Sequence, residues 1–223
     1  KIFKEDGVPT DEYLVHAACM EADFRSPYAY RIRLAYDQVV TLFGAAAEKL
    51  DDFVRQSQIS QAEAKKYFVE KFRIGKWLRT GIIWWNLLDG WPEMSDAVVD
   101  YYYEKKLAYH YIKRSQAPFA IIFDEIKNWN HPIYACNDTL CDLSGRFSVR
   151  DAETGEVLLE RDFFAPANTS TLIARMPMFY SEQRFLIIEW EANGERGKNH
   201  YLCGTPPFSL AAYRDVLEKY GLR

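Results

Sequence analysis

The segment Thr80-Gly-Ile-Ile-Trp-Trp-Asn-Leu-Leu-Asp-Gly-Trp-Pro92 decides how this chain is interpreted. Residues 81–88 are apolar apart from Asn86, and the run is too short for a helix of ordinary length. Such a run predicts a strand buried on both faces, as in parallel sheets and at the centre of (β/α)8 barrels. Barrel enzymes build their pockets where the strands end, and tryptophans crowd the end of this one. Because flat indole faces beside amide and carboxylate groups suit a sugar ring, the segment predicts a sugar pocket.

The composition narrows the classes of partner. The 223 residues carry a net charge of −4 and no basic run, so neither nucleic acid nor an anionic membrane surface is an expected partner. No apolar run approaches the length that crosses a bilayer, so membrane insertion is not expected. The cysteines and histidines follow no metal-binding spacing, and no metal site is predicted. The chain opens without an initiator Met or a signal peptide, which indicates an internal cut in a longer protein.

Hydrophobic periodicity predicts that the first half is helical. In the segment from about Ser60 to Arg73, Ala64, Phe68 and Phe72 form one stripe opposite charged side chains. Gly44 follows another periodic segment in the manner of a C-terminal cap. The predicted helices span about 10–20, 28–43, 60–73 and 104–114, and a short amphipathic helix spans 210–220.

Seven short runs after Ser115, separated by turn-forming residues, predict an antiparallel β-sandwich. Trp129 and Trp190 could form an aromatic strip that binds polysaccharide on a sandwich face. Trp190, however, lies between Glu189 and Glu191 in an alternating strand, which is typical of a core residue, so packing is expected there. Asn137-Asp138-Thr139 and Asn168-Thr169-Ser170 also match the glycosylation triplet, which arises often by chance. The predicted strands span about 119–123, 133–136, 146–150, 157–163, 171–176, 185–191 and 198–202.

The order of several motifs resembles the family-two glycoside hydrolases, most closely their β-mannosidase-like branch. In that family a tryptophan-rich strand ends in Asp-x-Trp-Pro and is followed by Asp-Tyr-Tyr, a Lys-Pro-Ala-Tyr-like helix and an immunoglobulin-like domain. The corresponding segments here are residues 80–92, Asp100-Tyr101-Tyr102 and Lys106-Leu107-Ala108-Tyr109. The upstream Ser57-Gln-Ile-Ser-Gln-Ala-Glu63 is similar to the preceding barrel helix of the family. The resemblance covers most of the chain after about Phe53.

The resemblance implies an α+β fold, with the C-terminal end of a (β/α)8 barrel, mostly helical in this fragment, before an immunoglobulin-like antiparallel β-sandwich. It places barrel residues at 1–115, the sandwich at 116–208 and a C-terminal helix at 209–223. The parent would be an O-glycosyl hydrolase that cleaves β-linked glycosides, β-mannosides favoured, with retention and without a cofactor. The fragment alone is expected to be inactive and to need the missing N-terminal part of the same protein. A periplasmic or extracellular location is favoured by the resemblance alone.

Four residues of the tryptophan segment are the candidate contacts for a carbohydrate substrate: Trp85, Asn86, Asp89 and Trp91. In the family an aromatic residue floors the sugar pocket, and Trp85 matches its position; the other interpretation is a residue of the barrel core. Asn86 and Asp89 could hold sugar hydroxyls, although Asp89 could equally serve the turn. Trp91 could line the pocket or brace the loop. Strand alternation turns Trp84 toward the helices.

A retaining glycosidase also needs two carboxyl groups about 5–5.5 Å apart. The family's motifs for both are absent from this sequence, so both carboxylates are expected upstream of Lys1, and no residue here is predicted to be catalytic. Glu21 is the nearest other carboxylate, but its surroundings indicate a helix end. Asp96 and Asp100 could extend the site, although most loop carboxylates are simply solvated.

One alternative belongs to a different class of protein: a noncatalytic carbohydrate-binding or structural β-sandwich module, with the helical half as a spacer. Sugar binding that depends on Trp129 or Trp190, rather than on Trp85, would favour that alternative.

Overall fold

A computed structural model describes residues 2–17, 30–177 and 182–222. The chain divides into two compact units, which we call the helical unit and the sandwich unit. The helical unit comprises Lys1–Lys65, Ile83–Tyr111 and Pro206–Leu210. The sandwich unit comprises Lys66–Ile82, Ile112–Thr205 and Ala211–Arg223. The domain limits at residues 115 and 208 stay a prediction.

Within the described residues, four helices precede the sheets: α1 (Asp11–Val15), α2 (Tyr30–Phe43), α3 (Leu50–Ile74) and α4 (Leu107–Ser115). Helix α3 is longer than the predicted helix at 60–73. Its first turn carries Asp51 and Asp52 and its last turn carries Lys71 and Arg73, charges that suit the dipole at each end. Gly44 ends α2 with a φ of 82° and donates its N–H to Val40, which confirms the predicted cap.

Helix α1 is shorter than the predicted helix at 10–20, and residues 18–29 lie outside the described residues. After α1 the chain turns into a bridge between Ala17 and Met94. Helix α4 begins three residues later than predicted, because Lys105 pairs with Val99 and the Lys106 N–H donates to Val98. These residues are held by the preceding loop rather than by a helical turn.

An aromatic cluster forms the core of the helical unit. The ring centroid of Phe3 lies 5.0 Å from Tyr13, 4.3 Å from Tyr36 and 5.3 Å from Phe53. Val39 of α2 is buried against the same cluster. Close, tilted ring pairs of this kind add to the free energy gained by burying the rings.

Residues 81–88 do not form the predicted buried strand, and the prediction is wrong. The segment bends at Trp85 and Leu87 instead of forming a continuous strand, and Ile83 is 100% exposed and Leu87 61% exposed. A buried parallel strand needs a hydrogen-bonding neighbour on each edge. Within the described ranges, the only bridge formed by this segment joins Leu88 to Val99, so the apolar side chains find no second layer to pack against.

The sandwich unit confirms the predicted antiparallel sandwich. Its sheets have the strand orders β1-β2-β5 and β4-β3-β6-β7, a division into three and four that matches an immunoglobulin-like fold. Side chains from both sheets meet in one core around Ile121, Phe147 and Leu186. The strands are β1 (Phe119–Phe123), β2 (Asn130–Asn137), β3 (Leu143–Asp151), β4 (Val157–Ala165), β5 (Thr169–Pro177), β6 (Arg184–Ala192) and β7 (Glu195–Cys203).

Helix α5 (Leu210–Tyr220) follows the last strand with the predicted bounds. Tyr213, Val216 and Leu217 are its buried residues. The ring of Tyr213 lies 5.1 Å from that of Phe185 on β6. The amphipathic pattern of the sequence therefore identified both the helix and its buried face.

A buried ionic network holds the C-terminal half of α3 in the sandwich unit. Lys66 donates to Glu70 over 2.6 Å, and their side chains are 4% and 6% exposed. The other carboxylate oxygen of Glu70 accepts from the Asn199 amide at 2.8 Å and from the Ser115 hydroxyl at 3.4 Å. Because every charge in the network has a bonded partner, the cost of burying it is offset.

Asn137, at the end of β2, joins the turn that follows it to the turn between β4 and β5. Its amide nitrogen donates to the carbonyl oxygens of Cys141 at 2.8 Å and of Ala165 and Pro166, both at 3.1 Å. Its side-chain oxygen accepts from the Thr139 N–H at 2.9 Å and from the Thr139 hydroxyl at 2.7 Å. Asn137 is fully buried, so this bonding replaces all the water that its amide loses.

Candidate functional site

The tryptophan segment is framed by backbone hydrogen bonds to the loop that follows it. The Val98 N–H donates to Asn86 at 3.2 Å, the Val99 N–H donates to Leu87 at 2.9 Å, and the Asp89 N–H donates to Val99 at 3.1 Å. These bonds make one short parallel pairing, and the Trp85–Asn86 peptide bond just before it is cis. The frame fixes the backbone on the C-terminal side of Trp85.

Trp84 and Trp85 face different surroundings, as strand alternation predicted. Trp84 is half-buried, and the ammonium of Lys65 on α3 lies 5.1 Å from its ring centroid. The same ammonium donates to the carbonyl oxygen of Trp85 over 2.7 Å. The side chain of Trp85 is 73% exposed and presents a broad indole face to solvent. Trp84 therefore packs against a helix residue, while Trp85 is available to a ligand.

Asp89 is sequestered. It is 3% exposed, and its Oδ2 accepts from Lys106 over 2.6 Å. Its Oδ1 accepts a short hydrogen bond from the Ser95 hydroxyl. A sugar hydroxyl would have to displace one of these partners, so the geometry favours the turn and loop role of Asp89.

Asn86 and Trp91 are both half-buried. The Asn86 side chain donates weakly to the carbonyl oxygen of Leu88 at 3.4 Å, which leaves it able to turn toward a ligand. The indole of Trp91 lies near the carboxylate of Glu93 and favours its charged form. Burial raises the pKa of Glu93, and the charge of Asp89 raises it further. Lys106 and Trp91 lower the pKa, but by less, so it stays above its usual value. This contact supports a bracing role for Trp91.

A cavity of about 280 Å³ lies in the helical unit between α2, α3 and the loop after the tryptophan segment. Asp96, Asp100, Gln58, Gln61 and Lys106 contribute polar groups to its lining. Asp96 and Asp100, the loop carboxylates that could extend the site, thus line a cavity, although the four candidate contacts do not. The sequence analysis quoted Gln58, Gln61 and Lys106 only as members of family motifs and assigned none of them to the site, because residue type alone does not show that they line a cavity.

The two tryptophans of the sandwich unit differ. Trp190 is half-buried against the core, and its ring covers Gly197, where an added Cβ would lie 2.3 Å from the ring. This confirms Trp190 as a packing residue. Trp129 is 61% exposed in a turn, so it does not belong to the sandwich core. Trp129 has a positive φ of 61° and lies in the turn before β2.

Several other features bear on the class of site. Glu21 lies outside the described residues. In the described ranges, no group of three or more His, Cys, Asp or Glu side chains has the proximity that a metal ion requires. None of the helices resolved in those ranges combines the length and apolar character needed to cross a membrane.

Comparisons with known proteins find similarity in both sequence and fold. No family model matches the chain. An 81-residue stretch, 34% of the chain, is 36% identical to β-mannosidase B of Thermothelomyces thermophilus and covers 10% of that protein. The fold is similar to the crystal structure of a β-D-mannosidase from Dictyoglomus thermophilum, with a TM-score of 0.72 and 20% identity over 92% of the chain. It is also similar to an exo-chitosanase of Amycolatopsis orientalis, with a TM-score of 0.61 and 21% identity over 77% of the chain.

The chain spans 26% of the Dictyoglomus thermophilum protein and 21% of the Amycolatopsis orientalis protein. The protein that is similar in sequence is named as a β-mannosidase, and the two that are similar in fold are named as a β-D-mannosidase and an exo-chitosanase. They confirm the resemblance carried by the motifs: part of the chain is similar in sequence to a β-mannosidase, and its fold is similar to those of a β-mannosidase and an exo-chitosanase.

Proposed function

We propose that the chain is part of a retaining glycoside hydrolase that cleaves β-linked glycosides, with β-mannosides favoured. In this proposal the helical unit supplies one wall of the sugar pocket through Trp85, and the sandwich unit is a supporting domain. The observation that carries the proposal is the 73% exposure of Trp85, beside a backbone frame whose sequence motifs match a glycosidase family.

The mechanism follows from the chemistry of retaining glycosidases. One carboxylate attacks the anomeric carbon while a second carboxylic acid protonates the leaving oxygen, and water then releases the covalent intermediate. Both groups are proposed to come from the upstream part of the same protein. The indole of Trp85 would bind the C–H face of the sugar in this sequence of steps, while Asn86 turns its amide toward a hydroxyl.

The test uses the full-length protein and a panel of aryl β-glycosides: mannoside, glucosaminide and galactoside. We expect hydrolysis, fastest for the mannoside, with the β-anomer as the first product seen by NMR. Trp85→Ala should lower kcat/KM by roughly 30-fold, about 2 kcal/mol of lost aromatic contact. Trp129→Ala is the matched control and should retain full activity.

Three results would refute the proposal: no hydrolysis of any of these glycosides, an α-anomer as first product, or a fully active Trp85→Ala. The exposed side chain of Trp129 favours the second candidate, a noncatalytic carbohydrate-binding module. In that case electrophoresis through a mannan-containing gel would retard the 223-residue chain, and Trp129→Ala would abolish the retardation while Trp85→Ala would not.

A further inference from the structure

One face of helix α3 hydrogen-bonds the backbone of the tryptophan segment and of the residues that follow it. Gln58 accepts from the Leu107 N–H at 3.1 Å. Gln61 donates to the carbonyl oxygens of Asp96 at 2.7 Å and Ala97 at 3.2 Å. Lys65 follows Gln61 by one helical turn and donates to the carbonyl oxygen of Trp85. Residues three and four apart lie on one helix face, so Gln58 and Gln61 hold the residues after the segment while Lys65 holds the segment itself.

Lys65 makes the contact nearest to the proposed sugar-binding side chain. Its ammonium is held between a carbonyl oxygen at 2.7 Å and the ring of Trp84 at 5.1 Å. Burial lowers the pKa of Lys65, the charge of Asp96 opposes this effect, and Lys106 adds to it. A partly desolvated ammonium gains more from a carbonyl dipole and an aromatic face than a fully hydrated one does.

The exposed ring of Trp85 must take its direction largely from its own backbone. Few side chains restrain a ring that is 73% exposed. The peptide group that follows Trp85 is held on one side by Lys65, and the next carbonyl oxygen, that of Asn86, accepts from Val98 at 3.2 Å. Loss of the first bond frees the peptide that carries the ring, whereas the second bond belongs to the loop frame and remains.

We propose that Lys65 is a positioning residue for Trp85. Its hydrogen bond to the Trp85 carbonyl oxygen, supported by the contact of its ammonium with the Trp84 ring, fixes the direction in which the indole is presented to a saccharide. The inference rests on the proposed function for the identity of the ligand. The orientation of the ring can be measured without any activity.

The first experiment labels the six tryptophans with 5-fluorotryptophan and assigns each ¹⁹F resonance by a Trp→Phe variant. Lys65→Met keeps the length of the side chain but removes its donor and charge. We expect the resonances of Trp84 and Trp85 to move and the other four to stay. Lys65→Arg should restore both, and Lys49→Met, at an exposed lysine, should change neither. An unchanged Trp85 resonance in Lys65→Met would overturn the proposal. If Lys65→Met unfolds the chain, so that all six resonances collapse toward one position, Lys65→Gln replaces it under the same criteria.

The second experiment measures kinetics in the full-length protein. Lys65→Met should lower kcat/KM about 10-fold when Trp85 is present and less than about 2-fold in a Trp85→Ala background, because the two side chains act through one contact. Equal losses in both backgrounds would overturn the positioning role. A fully active Trp85→Ala would instead refute the proposed function, and the ¹⁹F spectra would then decide the role of Lys65 alone.

Discussion

Glu70→Leu should destabilise the sandwich unit more than almost any surface change. The substitution leaves the ammonium of Lys66, 4% exposed, without its partner at 2.6 Å. It also removes one of the two acceptors of the Asn199 amide, the Glu70 oxygen at 2.8 Å. Removing one member of a buried ion pair costs about 3–5 kcal/mol in unfolding free energy. With a urea dependence of about 2 kcal/mol per molar, the midpoint of unfolding should fall by about 2 M.

The double variant Lys66→Met/Glu70→Leu separates charge from packing. It removes both charges and keeps apolar side chains of similar volume, so we expect unfolding free energy to return to within about 1 kcal/mol of the unchanged chain. The Asn199 amide keeps its second acceptor, the carbonyl oxygen of Ile121 at 3.1 Å. Glu218→Leu, at an exposed position of α5, is the matched control and should change stability by less than about 0.5 kcal/mol.

Urea titrations followed by far-ultraviolet circular dichroism measure all of these changes. The reasoning fails if Glu70→Leu and the double variant lose the same free energy, since the loss would then come from packing alone. It also fails if Glu70→Leu is no more harmful than Glu218→Leu.

Three further predictions concern charge, thiols and backbone space. Burial alone would raise the pKa of Asp124, but hydrogen bonds to its carboxylate outweigh that effect and hold the pKa below its usual value. Asp124→Asn should therefore cost about 2 kcal/mol at pH 7, and the difference from the unchanged chain should shrink as the pH falls below about 4, measured by urea unfolding across pH. Burial raises the pKa values of the Cys136 and Cys203 thiols to about 11, while Cys141 is exposed. In the Cys19→Ser variant a thiol reagent at pH 8 should label Cys141 quickly and the other two only after denaturation, and mass spectrometry that finds early labelling of Cys203 would contradict this. Gly145→Ala would place a Cβ 1.9 Å from a backbone oxygen of the neighbouring strand, so thermal unfolding should show a loss of about 2 kcal/mol or more, and an unchanged melting temperature would show that the strands can part.

The sandwich was readable from the sequence because turn-forming residues divided it into short runs. Every predicted strand is present, and most extend one to three residues beyond the predicted bounds, because ladder hydrogen bonds continue past the apolar residues that reveal a strand. The prediction of a buried strand at residues 81–88 was wrong for a different reason. An apolar run indicates that burial would be favourable, but it does not show which surface would cover it.

The candidate site was predictable in part. Alternation along the chain separated the packed Trp84 from the exposed Trp85. The carboxylate of Asp89 was not expected to be enclosed, because Lys106 lies seventeen positions away and nothing in the spacing indicates that they meet. Lys65 gave no signal at all, since its partner is a backbone carbonyl oxygen twenty positions later and backbone acceptors leave no trace in residue type.

The saturated amide of Asn137 has a consequence for the chemical ageing and modification of the folded chain. An inaccessible nitrogen that is bonded to three carbonyl oxygens cannot be reached by a glycosyl-transferring enzyme, so the triplet at Asn137 is silent once the chain has folded. The same restraint keeps its amide carbon from the backbone nitrogen of Asp138, the attack that begins deamidation. Asn193-Gly194, in an exposed turn, has no such protection and should be where stored protein first gains negative charge.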